Sequence, residues 1–142
     1  MNIHESAEDY LESIYMLSME KGFVRSIDIA NSLGYSKPSV SVAMKQLEEN
    51  GYIRRDGDRL IHLEDKGLAI AKRIYDRHET LAACLMALGV SEKTAYADAC
   101  KLEHGLSDES FDCLRAFIQK HGDEDPNGLK AHIRAHAGQN QV

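Results

Sequence analysis

The sequence predicts a mainly α-helical protein: an N-terminal winged helix-turn-helix of three helices and a two-stranded wing, followed by a second, wholly helical part. Three observations predict it. Apolar residues recur at helical spacing along most of the 142 residues. Two short helical patterns meet at a glycine in "SIDIANSLGYSKPSVSVAMKQLEEN". The one stretch of strand-like alternation, "YIRRDGDRLIHL", follows at once.

The first helix carries Ile3, Ala7, Tyr10, Leu11, Ile14 and Leu17 on one stripe and stops at Gly22. Ser26 is the expected N-cap of "IDIANSL", which ends at Gly34. Ser36 caps the next helix, with Pro38 in the tolerated first turn and Val40, Met44 and Leu47 facing inward. The strand-like runs "YIRR" and "RLIHL" flank Asp56-Gly57, a strong two-residue hairpin signal. A long helix runs from about Asp65 to Leu88, with His78 inside its apolar line of Ile74, Leu81 and Leu85. Another starts at Ser91, with Ala95, Ala99, Leu102 and Leu106 as its expected buried stripe. Ser107 caps the last, whose first turn holds Asp108 and Glu109. Beyond Gly122, "DEDPNG" reads as a loop, and "LKAHIRAHAGQNQV", with His132 and His136, as a short helix or frayed tail. The expected domains are residues 1–70 and 71–142.

Composition narrows the function classes. The longest apolar run, "LAACLMALGV", falls far short of the roughly 20 residues that span a bilayer, and "MNIHESAEDY" lacks the regions of a signal peptide. A cytoplasmic protein with no membrane partner is expected. Three cysteines at wide spacing, with no CxxC pair, point to free or metal-bound thiols rather than disulfides. Cys84 and Cys113 sit among apolar neighbours and read as small core residues. The net charge is −6, but residues 25–60 hold six basic against five acidic side chains, so the acidity lies outside the winged-helix segment.

In a helix-turn-helix the second helix enters the major groove by its N-terminal end. Here that end presents Ser36, Lys37, Pro38, Ser39 and Val42, small or apolar groups suited to thymine methyls and to DNA shape. Ser41, Lys45 and the wing residues Arg54, Arg55 and Arg59 are suited to phosphates. So few contacts per chain favour a homodimer on a palindromic double-stranded operator, with residues 92–120 as the interface.

In "DACKLEHGLS" the residues Cys100, Glu103 and His104 fall at i, i+3 and i+4, on one helical face beside the apolar stripe. A thiolate, carboxylate and imidazole together suit Mn²⁺, Fe²⁺, Co²⁺ or Zn²⁺ better than Ca²⁺ or Mg²⁺. Asp9 and Glu12 form a second acidic pair on the first helix, turned away from its apolar stripe. A metallohydrolase is disfavoured, because no HExxH pattern or nucleophile and base set is present. A winged-helix regulator of a small organic ligand, with the polar cluster merely structural, is the other alternative.

Taken together, "EDYLESIYML", "DIANSLGYSKPSVSVAMKQLEENGYI", "LEDKGLAIAKRIYDRHETL" and "LEHGLS" resemble the diphtheria toxin repressor family of metal-dependent transcriptional repressors, over about residues 5 to 120. The match is closest to its shorter manganese transport regulator branch. The resemblance implies a metal site of Asp9 and Glu12 from "EDYLE", His78 from "RHETL", and Cys100, Glu103 and His104 from "CKLEH", holding one or two ions per subunit. It implies repression of metal-uptake genes in response to Mn²⁺ or Fe²⁺, with Co²⁺ and Zn²⁺ as alternatives.

Two departures from the family pattern bear on the site. The manganese branch has a carboxylate where Cys100 stands, and the iron branch has that cysteine but a methionine where Asp9 stands. The set is therefore a hybrid. Ala82 and Tyr96 occupy positions of the iron branch's second metal site, which the resemblance implies is missing here, as is the longer branch's SH3-like domain.

Overall fold

The computed structural model describes residues 5–122. The described residues form α1 (Glu5–Lys21), α2 (Ser26–Leu33), α3 (Lys37–Glu49), β1 (Ile53–Arg55), β2 (Ile61–Leu63), α4 (Asp65–Ala87), α5 (Glu92–Gly105) and α6 (Asp108–Gly122). This is the mainly helical order expected, with a two-stranded antiparallel wing. Ile3, the segment after Gly122, His132 and His136 lie outside the described residues. The chain divides into two compact units between Arg73 and Ile74, inside α4. No described helix is long and apolar enough to cross a membrane.

In the N-terminal unit, Leu11, Ile14, Val24, Ile29, Val40, Met44, Ile53 and Ala71 are among the buried side chains of one core. The α1 stripe supplies Tyr10, Leu11 and Ile14 to it. Between α2 and α3 the chain reverses at Gly34, whose φ of 70° is a left-handed conformation that favours glycine. Ser36 caps α3 as expected, its Oγ accepting from the Ser39 N–H at 3.3 Å. Gly67 is required for another reason: a Cβ there would stand 2.2 Å from the Tyr52 carbonyl oxygen.

Two local expectations need correction. The N-cap of α2 is Arg25 rather than Ser26. Asp28, three residues on, reaches back so that its Oδ2 accepts from the Arg25 N–H at 2.9 Å, satisfying an otherwise orphaned donor. The wing turn is also longer than an Asp56-Gly57 pair. The strands pair Ile53 with Leu63, Arg54 with His62 and Arg55 with Ile61, and Arg59, not Gly57, takes the left-handed conformation at φ 64°. The Asp56 carboxylate accepts from the N–H groups of Asp58 at 2.9 Å and Leu60 at 3.0 Å, which holds this wider turn.

The C-terminal unit packs around Leu81, Ala82, Ala99 and Phe111, with Met86, Tyr96, Leu106 and Leu114 against them. Ser107 caps α6 as expected, accepting from the Ser110 N–H at 3.1 Å. Leu102 and Cys113 are exposed rather than buried, as is Phe117 beside Cys113. Both α5 and α6 therefore keep an apolar face outside this core. Cys84 is half-buried, and burial pushes its thiol up to about 11, leaving it a neutral, unreactive group.

Candidate metal centre

The candidate centre in the C-terminal unit is built from α4 and α5. His78 sits on α4 one turn before the packed Leu81 and Ala82, so its ring is carried inward with the apolar stripe. On α5, Ala99 anchors the buried face and the next residue, Cys100, leaves it, while Glu103, one turn after Ala99, follows it in. Glu103 is 0% exposed, His78 is 6% exposed, and Cys100 is exposed.

His78 Nδ1 stands 2.9 Å from Glu103 Oε2 and 3.6 Å from Cys100 Sγ. One donor atom from each of these three residues falls within 4.8 Å of the others. His104 adjoins them, its Nε2 3.4 Å from Glu103 Oε1. Burial pushes the His78 imidazole down, but its hydrogen bonds to Cys100 and Glu103 and their negative charges outweigh that and raise it from 6.5 to about 10. In the metal-free protein the imidazolium thus supplies the cation that a buried carboxylate needs.

This donor chemistry fits a divalent cation. A carboxylate oxygen, an imidazole nitrogen and a sulfur are gathered on two packed helices, with the carboxylate desolvated and the exposed thiol marking an open side. Mixed hard and soft donors of this kind suit first-row transition ions rather than Ca²⁺ or Mg²⁺. Asp9 and Glu12 lie in the other unit, one turn apart on α1. Glu12 is buried and Asp9 half-buried, so Glu12 is not the solvated surface acid that its place opposite the apolar stripe suggests.

The neighbouring positions are filled by other contacts. Ala82 is packed in the core, and the Tyr96 hydroxyl donates to Glu79 Oε2 at 3.2 Å. The Tyr96 ring lies 5.3 Å from that of His78 and flanks it. Arg77, immediately before His78, is buried as well, which the apolar spacing of α4 did not signal.

The N-terminal unit carries a basic cleft of ≈ 440 Å³, lined by Arg25, Lys37, Ser41, Arg55 and Arg59 among others. Ser36, Lys37, Pro38, Ser39, Ser41, Val42 and Lys45 all lie on the exposed side of α3 or its cap. Arg54 and Arg55 alternate along β1: Arg54 turns away from the cleft and pairs with Glu64 at 3.5 Å. Arg55 faces the cleft and is held by Glu48, which its backbone N–H and guanidinium both reach. Lys37, Lys45 and Arg59 make no ion pair within the described residues. Arg25 had no place in the helical spacing, yet its position just before α2 opposite the wing puts a further cation in the cleft.

Comparison with known proteins gives two family matches. Residues 2–61 match the iron dependent repressor N-terminal DNA binding domain, and residues 64–132 match the iron dependent repressor metal binding and dimerisation domain. An HTH-type transcriptional regulator of Methanocaldococcus jannaschii is 38% identical over 122 residues, covering 84% of this chain and 98% of that one. The HTH-type transcriptional regulator MntR of Bacillus subtilis is 38% identical over 120 residues, covering 84% of each. Among solved structures, the manganese regulator SloR superposes with a TM-score of 0.71 at 29% identity, over 84% of this chain and 55% of that one. The chain thus spans about half the length of that solved regulator.

Proposed function

This chain belongs to the iron-dependent repressor family, and from that premise we propose that it is a metal-activated repressor of metal-uptake genes. The observation that carries the metal dependence is the convergence of His78, Cys100 and Glu103 on one point of the C-terminal unit. We assign His104, Asp9 and Glu12 to the same ligand set, for one or two ions per subunit. Residues 1–70 are the proposed DNA-binding domain and 71–142 the metal-binding and dimerisation domain. The chain acts in this reading as a cytoplasmic homodimer on a palindromic operator, without catalysis.

A bound divalent cation supplies the positive charge that lets several carboxylates and a thiolate share one small volume. Its ligation of Asp9 and Glu12 would add a tie between α1 and the donors of α4 and α5 that the His78–Glu103 pair alone does not supply. Ligand pairing between the two units then biases how the winged helices are presented to DNA. The bias required is small, about 1–3 kcal/mol in typical allosteric systems. Ser36, Lys37, Pro38, Ser39 and Val42 meet base edges. Ser41, Arg55 and Arg59 meet phosphates from the cleft, Lys45 meets them from α3, and Arg54 from the other face of β1.

Mn²⁺ or Fe²⁺ is the proposed activator, because Asp9 and Glu12 are hard oxygen donors and relatives include regulators named for manganese. The Cys100 thiol keeps Co²⁺ and Zn²⁺ in contention. The test is operator binding titrated with each of the four ions under anaerobic reducing conditions, against a chelated control. Tight binding only with metal supports the reading. Binding that a chelator leaves unchanged, or that a small organic effector relieves without metal, refutes it.

A further inference from the structure

Two consecutive residues of α4 grip one residue of α5. His78 holds the Glu103 side chain, while Arg77 holds its main chain: Arg77 Nη1 donates to the Glu103 carbonyl oxygen at 3.2 Å and to that of Leu106 at 2.6 Å. Its other terminal nitrogen, Nη2, donates to the Asp108 carboxylate at the start of α6. The guanidinium is buried, with a side chain only 5% exposed, and lies over the Phe111 ring at 5.1 Å from the centroid.

The chemistry of a helix end explains why an arginine stands there. The last carbonyls of α5 have no partners within the helix and carry its negative dipole end. A buried cation that donates to one of them, on Glu103, and to the carbonyl of the C-cap residue Leu106 serves both needs at once. Only a planar fork reaches two carbonyls and a carboxylate from one side; a lysine ammonium on a flexible stem cannot reproduce that fixed geometry. The Phe111 face then fixes the plane of the fork.

We propose that Arg77 is a positioning residue of the metal centre, acting by fixing the C-terminal turn of α5 so that Glu103 meets His78 with His104 beside it. It donates nothing to the cation itself. The inference rests on the proposed metal centre, and concerns only residues of the C-terminal unit. Arg115 supplies an internal control: it lies over the same Phe111 ring at 4.7 Å and pairs with Asp76, yet has no bond to the α5 carbonyls among the described residues.

The experiment compares the full-length parent, Arg77→Lys, Arg77→Met, Arg115→Met and Asp108→Asn. Each is measured for Co²⁺ affinity by competition, for its Co²⁺ absorption spectrum, and, metal-free, for amide hydrogen exchange along α5. Arg77→Met should lose about 10- to 100-fold in affinity, the range typical when a residue supporting a ligand is removed. Its cobalt bands should shift and the end of α5 should exchange faster, whereas Arg115→Met stays within about twofold of the parent's affinity. Arg77→Lys should rescue only in part. If Arg77→Met does not fold, Asp108→Asn reads the same clamp through one partner and should lose several-fold. Parent-like affinity and spectrum in Arg77→Met, or in Asp108→Asn where that must stand in, overturns the positioning role alone. A parent that binds no Co²⁺ overturns the metal centre and the positioning role together.

Discussion

His78 Nδ1 and Glu103 Oε2 stand 2.9 Å apart, joining α4 to α5 where both side chains are withdrawn from water. The imidazolium facing the buried carboxylate offsets its charge, and in the proposed metal site the same two side chains would serve as ligands, His78 having given up its proton. Glu103→Gln keeps the shape and removes the charge. It should weaken metal binding by more than the roughly 100-fold upper range for an outer partner's loss, and abolish metal-dependent operator binding while leaving the dimer intact. Sedimentation and fluorescence anisotropy on operator DNA check both halves. Retained metal response in this variant would exclude Glu103 as a ligand.

In the proposed metal site, Cys100 is the soft donor. Its sulfur lies 3.6 Å from His78 Nδ1 and is open to solvent, so a carboxylate can be placed there without disturbing the core. Cys100→Glu should raise the preference for Mn²⁺ over Zn²⁺ by at least about tenfold, or about 1.4 kcal/mol. Competitive titration with both ions measures the ratio. An unchanged ratio would mean that the metal bypasses the thiol.

Asp28 ties the start of α2 to the end of α1. The hydrogen bond from Lys21 at 2.7 Å, then that from the Arg25 N–H, hold its carboxyl below the ordinary value of 3.8. Because its folded pKa is depressed, its stabilisation is present above pH 3.8 and is lost as pH falls through the lower folded value. Asp28→Asn should cost about 1 kcal/mol at pH 7, typical of a lost helix cap. The difference between variant and parent in urea unfolding should shrink toward zero on acidification below that range. A difference independent of pH would contradict the assignment.

Arg59 holds a positive φ of 64° in the wing, where glycine would sit without strain. Arg59→Gly should leave folding unharmed, with a gain of up to about 1 kcal/mol. It also removes a cation from the basic cleft. Operator affinity should fall evenly across sequences, and the slope of log affinity against log salt should drop by about one. A change confined to one base position would mean that Arg59 reads sequence instead.

Much of this architecture was legible because it depends on local rules. The α1 stripe, the reversal at Gly34 and the caps at Ser36 and Ser107 follow from spacing and turn chemistry alone. Arg25 displaced Ser26 as a cap because Asp28 supplied the acceptor from within the helix, which a search for a capping residue at the first position does not see. Leu102, Cys113 and Phe117 have core spacing but are exposed, since periodicity tells which face is apolar and not what covers it. The i, i+3, i+4 pattern of Cys100, Glu103 and His104 drew attention to α5. The grip of Arg77 and His78 on Glu103 depends on helix packing, which no spacing within one helix encodes.

The proposed function depends above all on His78, Cys100 and Glu103 together holding a transition-metal ion. Its most direct test is an anaerobic Co²⁺ titration of the reduced full chain, followed by absorption spectroscopy, in the parent and in Cys100→Ser and Glu103→Gln. A saturable thiolate-to-cobalt charge-transfer band is expected in the parent. That band should vanish in Cys100→Ser, and its titration should shift to much higher cobalt concentration in Glu103→Gln. A parent with no such band, or a band that survives Cys100→Ser, would contradict it.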